Sequence, residues 1–86
     1  MAAAERNPFP RIGRYPGVHG DEPVVRGTRV PVRAIAVAWR AEPNMAAMLA
    51  AYPRRIEADI LQALAYFQAH RIEIEARIQA QLALAK

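Results

Sequence analysis

From Arg54 to Lys86 the chain contains neither glycine nor proline, and this uninterrupted stretch is what most constrains the fold. Ile60, Leu64, Phe67, Ile74 and Ile78 recur in it at helical spacing. The pattern predicts one long helix that begins at Glu57, after the turn Pro53-Arg54-Arg55-Ile56. Carried to Lys86, such a helix would be about 45 Å long, at about 1.5 Å per residue. A chain of 86 residues condenses to a radius of gyration of about 12 Å, a globule about 30 Å across. Beyond about Ala69 the helix is therefore expected to outrun its own domain, leaving Ile72, Ile74, Ile78, Leu82 and Leu84 for another surface.

Upstream the text changes character. Residues 1–10 mix Ala, Glu, Arg and Pro without a period and read as a flexible arm. All four glycines fall between Arg11 and Val32, where they separate short β-branched pieces. Val24-Val25-Arg26 and Thr28-Arg29-Val30 are the expected strands, with Gly27 at a bend where a side chain would clash. So small a sheet is marginal alone, which predicts packing on helices or pairing with a second copy. Pro31 suits the first turn of a helix over Val32–Ala41, whose core face would carry Val32, Ile35 and Trp39 as anchor. Glu42-Pro43 ends it. Asn44 then caps a short helix with Met45, Met48, Leu49 and Tyr52 at i, i+3, i+4 and i+7, which Pro53 stops. The expected fold is mainly α, a helical domain over residues 11–70 with a small N-terminal β element and a long C-terminal helix. Residues 71–86 would form a helical extension.

Composition narrows the chemistry. There is no Cys and no Ser, with one Thr and two His, so the usual nucleophile and base pairs are nearly excluded. No enzyme activity and no cofactor are expected. His19 with Asp21 and Glu22 lacks a distant fourth ligand, so no metal site is expected either. Charged residues interrupt every apolar run well before the roughly 18 residues that a bilayer span needs, and the N-terminal segment is no signal peptide, so a cytoplasmic protein without membrane contact is expected. The net charge is +4, and eleven of the twelve basic residues are arginine. This fits a nucleic-acid partner, although nineteen alanines beside eleven arginines would also follow from GC-rich codons.

Three helices with a short turn between the second and third have the outline of a trihelical helix-turn-helix. In that arrangement Arg54 and Arg55 sit in the turn and the start of the third helix faces a groove, where Glu57 and Asp59 would repel phosphate. Arg26, Arg29 and Arg33 form a second basic set around the strands and first helix. They are suited equally to bidentate phosphate contacts and to ion pairs with Asp21, Glu22 or Glu42.

Two blocks of sequence resemble a known family. Tyr15-Pro16-Gly17-Val18-His19-Gly20, continued by Glu22-Pro23-Val24-Val25-Arg26-Gly27-Thr28-Arg29-Val30-Pro31-Val32, is similar to the signature of the bacterial and archaeal domain of unknown function 433. Tyr52-Pro53 with Ala58-Asp59-Ile60-Leu61-Gln62-Ala63-Leu64-Ala65-Tyr66 resembles its second block. The resemblance covers about residues 12–67. It implies a homeodomain-like helix-turn-helix after a small β element, and a VapB-type antitoxin of a type II toxin–antitoxin module whose partner toxin is a PIN-like ribonuclease. Family members carry Thr or Ser as the cap before the third helix, where this chain has Glu57.

The resulting expectation is a homodimeric antitoxin with two contact sets. Arg54, Arg55, Arg26, Arg29 and Arg33 would bind operator DNA for autoregulation of transcription. Arg71, Ile74, Arg77, Ile78 and Leu82, on the helix too long for its core, would engage the toxin by helix-in-groove docking, with Arg71 or Arg77 set against its acidic site. A dimeric interaction module whose long helices pair as a coiled coil without DNA binding is the alternative, as is a stand-alone regulator with no toxin.

Overall fold

A computed structural model describes residues 8–15, 17 and 21–84 of the chain. Its elements run β1 (Ile12–Gly13), β2 (Val24–Val25), α1 (Val32–Ala41), α2 (Met45–Ala51), α3 (Glu57–Ala69) and α4 (Arg71–Leu84). No helix among the described residues is long and apolar enough to cross a membrane. Residues 1–7 of the expected arm, His19 and Lys86 lie outside the described residues. The arm's end is not loose: Phe9 packs on the core, edge-on to Tyr66 with ring centroids 5.2 Å apart.

The sheet differs from expectation in its partner. β2 pairs antiparallel with β1, Ile12 opposite Val25 and Gly13 opposite Val24. The segment Thr28–Val30 forms the return of a turn, in which the Val25 N–H donates to Val30 O at 2.8 Å and the Thr28 N–H to Val25 O at 3.0 Å. Gly27 is at φ +80°, and an added Cβ there would meet no atom within 4 Å. Left-handed backbone, and not a clash, is what calls for glycine. Ile12 and Val25 join the helical core, and both strands pack on α3, so the chain itself covers this small sheet.

α1 covers the expected Val32–Ala41, but Pro31 is extended (φ −79°, ψ 149°) at the cap position and not in the first turn. Val32, Ile35 and Ala36 are buried, whereas Trp39 is half-buried at the edge of the core. Asn44 caps α2 by accepting from the Ala47 N–H at 2.9 Å. At α3 the cap residue is Ile56, which has no polar side chain, but Asp59 Oδ2 accepts from its N–H at 3.1 Å. One half of a capping box thus offsets the missing Thr or Ser.

The C-terminal stretch is the main correction. The chain does not form one helix from Glu57 onward. It breaks at His70 (φ −124°, ψ 42°), and α4 leaves at a new angle to pack on α1 more than on α3. Ile74 and Ile78, expected to await a partner, are 0% and 3% exposed in the same core as Ile35 and Ile60. The physical reason is a comparison of magnitudes. Interrupting the helix forfeits one or two backbone hydrogen bonds worth about 0.5–1.5 kcal/mol each, while burying an isoleucine yields about 1.5–3 kcal/mol. The break is also braced: His70 stacks on Tyr66 with centroids 4.0 Å apart, and the guanidiniums of Arg40 and Arg71 lie 5.5 and 4.9 Å from the Phe67 centroid. Glu75 pairs with both of those arginines, which joins α4 to α1. Past Ile78, residues 79–84 of α4 are exposed, on a molecule whose longest axis is 45 Å.

Candidate nucleic-acid interface

Two turns meet on one face. The first, Arg26–Arg29, follows β2 and is fastened by Thr28, whose hydroxyl donates to Val25 O at 2.7 Å and accepts from the Val30 N–H at 3.0 Å. The second joins α2 to α3 and is closed by the Arg55 N–H donating to Tyr52 O at 2.9 Å. Gly27 borders three adjoining depressions. One of about 400 Å³ is lined by Thr28, Tyr52, Arg54 and Arg55 among others. A second, about 320 Å³, is lined by Pro10, Arg11, Arg26 and Asp59. The third, about 440 Å³, lies beside Tyr15, Thr28 and Arg29.

Four of the five arginines expected to bind DNA therefore surround Gly27, and their states differ. Arg29 and Arg54 are exposed and, among the described residues, neither has a hydrogen-bond or ion-pair partner. Arg26 donates from Nε to Pro10 O and from Nη2 to Ile12 O, both at 3.0 Å, so its position is fixed while its charge stays uncompensated. Arg55 stands 3.5 Å from Asp59 Oδ2. Arg33 is the one the structure sets apart. Its Nε lies 2.5 Å from Oε2 of the buried Glu22, an ion pair outside hydrogen-bond geometry, and its side chain borders a different groove between α1 and α4.

Arg11 belongs to this face although no sequence pattern singles it out. Its backbone N–H donates to Gln62 Oε1 at 2.9 Å, and its Nη1 donates to Asp59 Oδ1 at 3.1 Å. Asp59 itself is 6% exposed, not a solvent-facing acid at the start of α3. Five arginines thus line the three depressions against this single carboxylate, a local excess of positive charge without metal-ligand or nucleophile chemistry. Such a surface is suited to phosphate oxygens. The outward residues of α3, Glu57, Leu61, Ala65 and Gln68, offer no cation.

The residues expected to bind a toxin are dispersed. Ile74 and Ile78 are core. Arg77 Nε donates to Glu73 Oε2 at 3.4 Å, and Arg71 donates to Gln68 Oε1 at 2.8 Å while covering Phe67. Leu82, 54% exposed, borders an apolar groove of about 320 Å³ shared with Arg33, Ala34, Val37, Ala38 and Gln81, whose floor is reached by the edge of Ile78.

No curated protein matches the chain. Among solved structures, the crystal structure of a DUF433 member protein from Anabaena variabilis is similar at a TM-score of 0.75 and 26% identity, over 91% of this chain and 74% of that one. A likeness of that extent reaches into α4. The family model described as protein of unknown function (DUF433) matches residues 12–67, well over half of the sequence, including both turns of the arginine face. The chain belongs to the DUF433 family.

Proposed function

We propose that this protein is a DNA-binding antitoxin that grips the phosphate backbone of its operator through the arginine face around Gly27 and, as a homodimer, neutralises a PIN-like ribonuclease. The observation that carries the DNA-binding part is the pair Arg29 and Arg54, which project from two different turns onto one face with no partner among the described residues. Surface arginines that serve a fold find carboxylates, as Arg14, Arg33, Arg40, Arg71 and Arg77 do here. The helix-turn-helix reading assigns α2 and α3 to the motif, but with Glu57, Leu61 and Ala65 outward, α3 contributes no cation to a base edge. Affinity then comes from the turns, and contacts of that kind fix position more than they read sequence. For the partner, the reading sets the contact at the groove between α1 and α4, where Val37 and Leu82 are half-exposed above the buried Ile78, and leaves Ile74 out.

The test is a titration of a labelled duplex from the region upstream of the gene, at several salt concentrations. Replacing Arg29 and Arg54 together by Ala should weaken binding and flatten the slope of log affinity against log salt by about two, with unchanged melting. An unchanged slope, or no binding by the parent at low salt, would overturn the DNA-binding assignment. The antitoxin part is tested separately: the parent should inhibit a ribonuclease encoded beside it, and Leu82→Asp should lose that inhibition while still binding the duplex.

A further inference from the structure

The geometry points to Asp59 as a positioning residue of this interface, whose carboxylate holds Arg11 and Arg55 in the place of a nucleic-acid phosphate and yields them when the backbone arrives; this rests on the DNA-binding reading above. Asp59 Oδ1 accepts from Arg11 at 3.1 Å, and Oδ2 accepts from the Ile56 N–H at 3.1 Å with Arg55 Nη1 at 3.5 Å. One negative charge therefore serves two guanidiniums. The arrangement is short of one anion, and a phosphate would supply it.

Accessibility separates this cluster from the other shared carboxylates. Glu73 binds Arg14 and Arg77, and Glu75 binds Arg40 and Arg71, but neither borders the depressions where arginines stand unpaired. Asp59 lines the depression it shares with Arg11 and Arg26, while Arg55 lines the next one with Arg54. The Arg11 side chain is 43% exposed against 9% for Asp59, so the guanidinium can meet an incoming oxygen that the carboxylate cannot follow. Arg55 is held at an ion-pair distance longer than a good charge-assisted hydrogen bond. Its backbone, and that of Arg11, are fastened by separate hydrogen bonds to Tyr52 and Gln62. Transfer thus requires only side-chain rotation.

The consequence runs against the usual effect of removing a group from a binding face. Asp59→Asn keeps an acceptor for the Ile56 N–H and frees both cations from the carboxylate that the parent leaves uncompensated in the complex, so affinity for a short labelled DNA duplex should rise about tenfold at low salt, with a salt slope steeper by about one. Arg11→Gln should lower affinity and flatten the slope by about one. A residue that merely caps α3 would move the melting temperature and leave the salt slope alone. If the parent binds the duplex and the Arg29/Arg54 variant weakens it, while Asp59→Asn and Arg11→Gln both leave the slope unchanged, Asp59 is structural only and this inference falls by itself. If the parent binds no duplex, the reading it rests on falls instead. Should Asp59→Asn fail to fold, Arg11→Gln decides the matter alone.

Discussion

Arg14 Nη2 donates to Glu73 Oε1 at 2.5 Å across 59 residues of sequence, linking the segment after β1 to α4. The same nitrogen donates to the Tyr66 hydroxyl at 2.8 Å, so one guanidinium engages α3 and α4 on either side of their junction. The hydrogen bond from Arg14, helped by Arg77 and opposed by partial burial, holds the Glu73 carboxyl below its ordinary value. Glu73 in turn raises Arg14.

A pH dependence follows, with a definite sign. Because the folded carboxyl is the stronger acid, the stabilisation from Glu73 is complete above its unfolded pKa of about 4.3 and is lost as pH falls through the lower folded value. Thermal melts between pH 7 and 3 should show the parent losing stability below about pH 4.3. Glu73→Gln should be less stable at pH 7 and show a shallower acid limb. Equal acid limbs in both proteins would remove Glu73 from the account.

The second expectation concerns the end of the core. Ile74→Ala and Ile78→Ala should each cost about 2–5 kcal/mol in urea unfolding, as deep core truncations do. Ending the chain at His70 removes both side chains together, about 3–6 kcal/mol of burial by the same area arithmetic. That is comparable to the whole stability of a small domain, about 5–15 kcal/mol, so the shortened chain should lose cooperative melting and shift its Trp39 fluorescence. A shortened protein that still melts cooperatively near the parent temperature would contradict the packing of α4.

The third isolates backbone geometry from space at Gly27. With φ at +80° and no atom within 4 Å of a built Cβ, Gly27→Ala should lose about 1–2 kcal/mol through the left-handed conformation alone. Gly27→Asn should lose less, since Asn tolerates that region. Calorimetry of the two variants checks the order. If Ala and Asn cost the same, crowding and not φ would be responsible.

Much of the helical framework is legible in the sequence. The spacing of apolar residues marks α1 and α2, Asn44 marks a cap, and Pro43 and Pro53 mark ends, because each is a local signal that tertiary packing does not overrule. The break at His70 has no such signal, since nothing around Ala69-His70-Arg71 disfavours helix. It exists because Ile74 and Ile78 gain more in the core than continuity would yield. The candidate site divides in the same way. Arg26, Arg29, Arg54 and Arg55 stand out as basic pairs beside turns. Arg11 and the buried role of Asp59 depend on a contact between residues 48 positions apart, which no local pattern encodes. Arg33 shows the converse, a basic residue of the right type whose buried partner Glu22 is visible only once the chain has folded.

The place of Ile74 and Ile78 also sets an order of events. They lie beyond the family match, which stops at residue 67, and among the described residues no buried side chain follows them along the chain. While the ribosome is still making α4, the groove on α1 that receives them stands open, and Ile35 and Phe67 lack their final cover. The nascent chain thus presents an unfinished core to proteases and chaperones up to the moment when the polypeptide past Ile78 is free to dock.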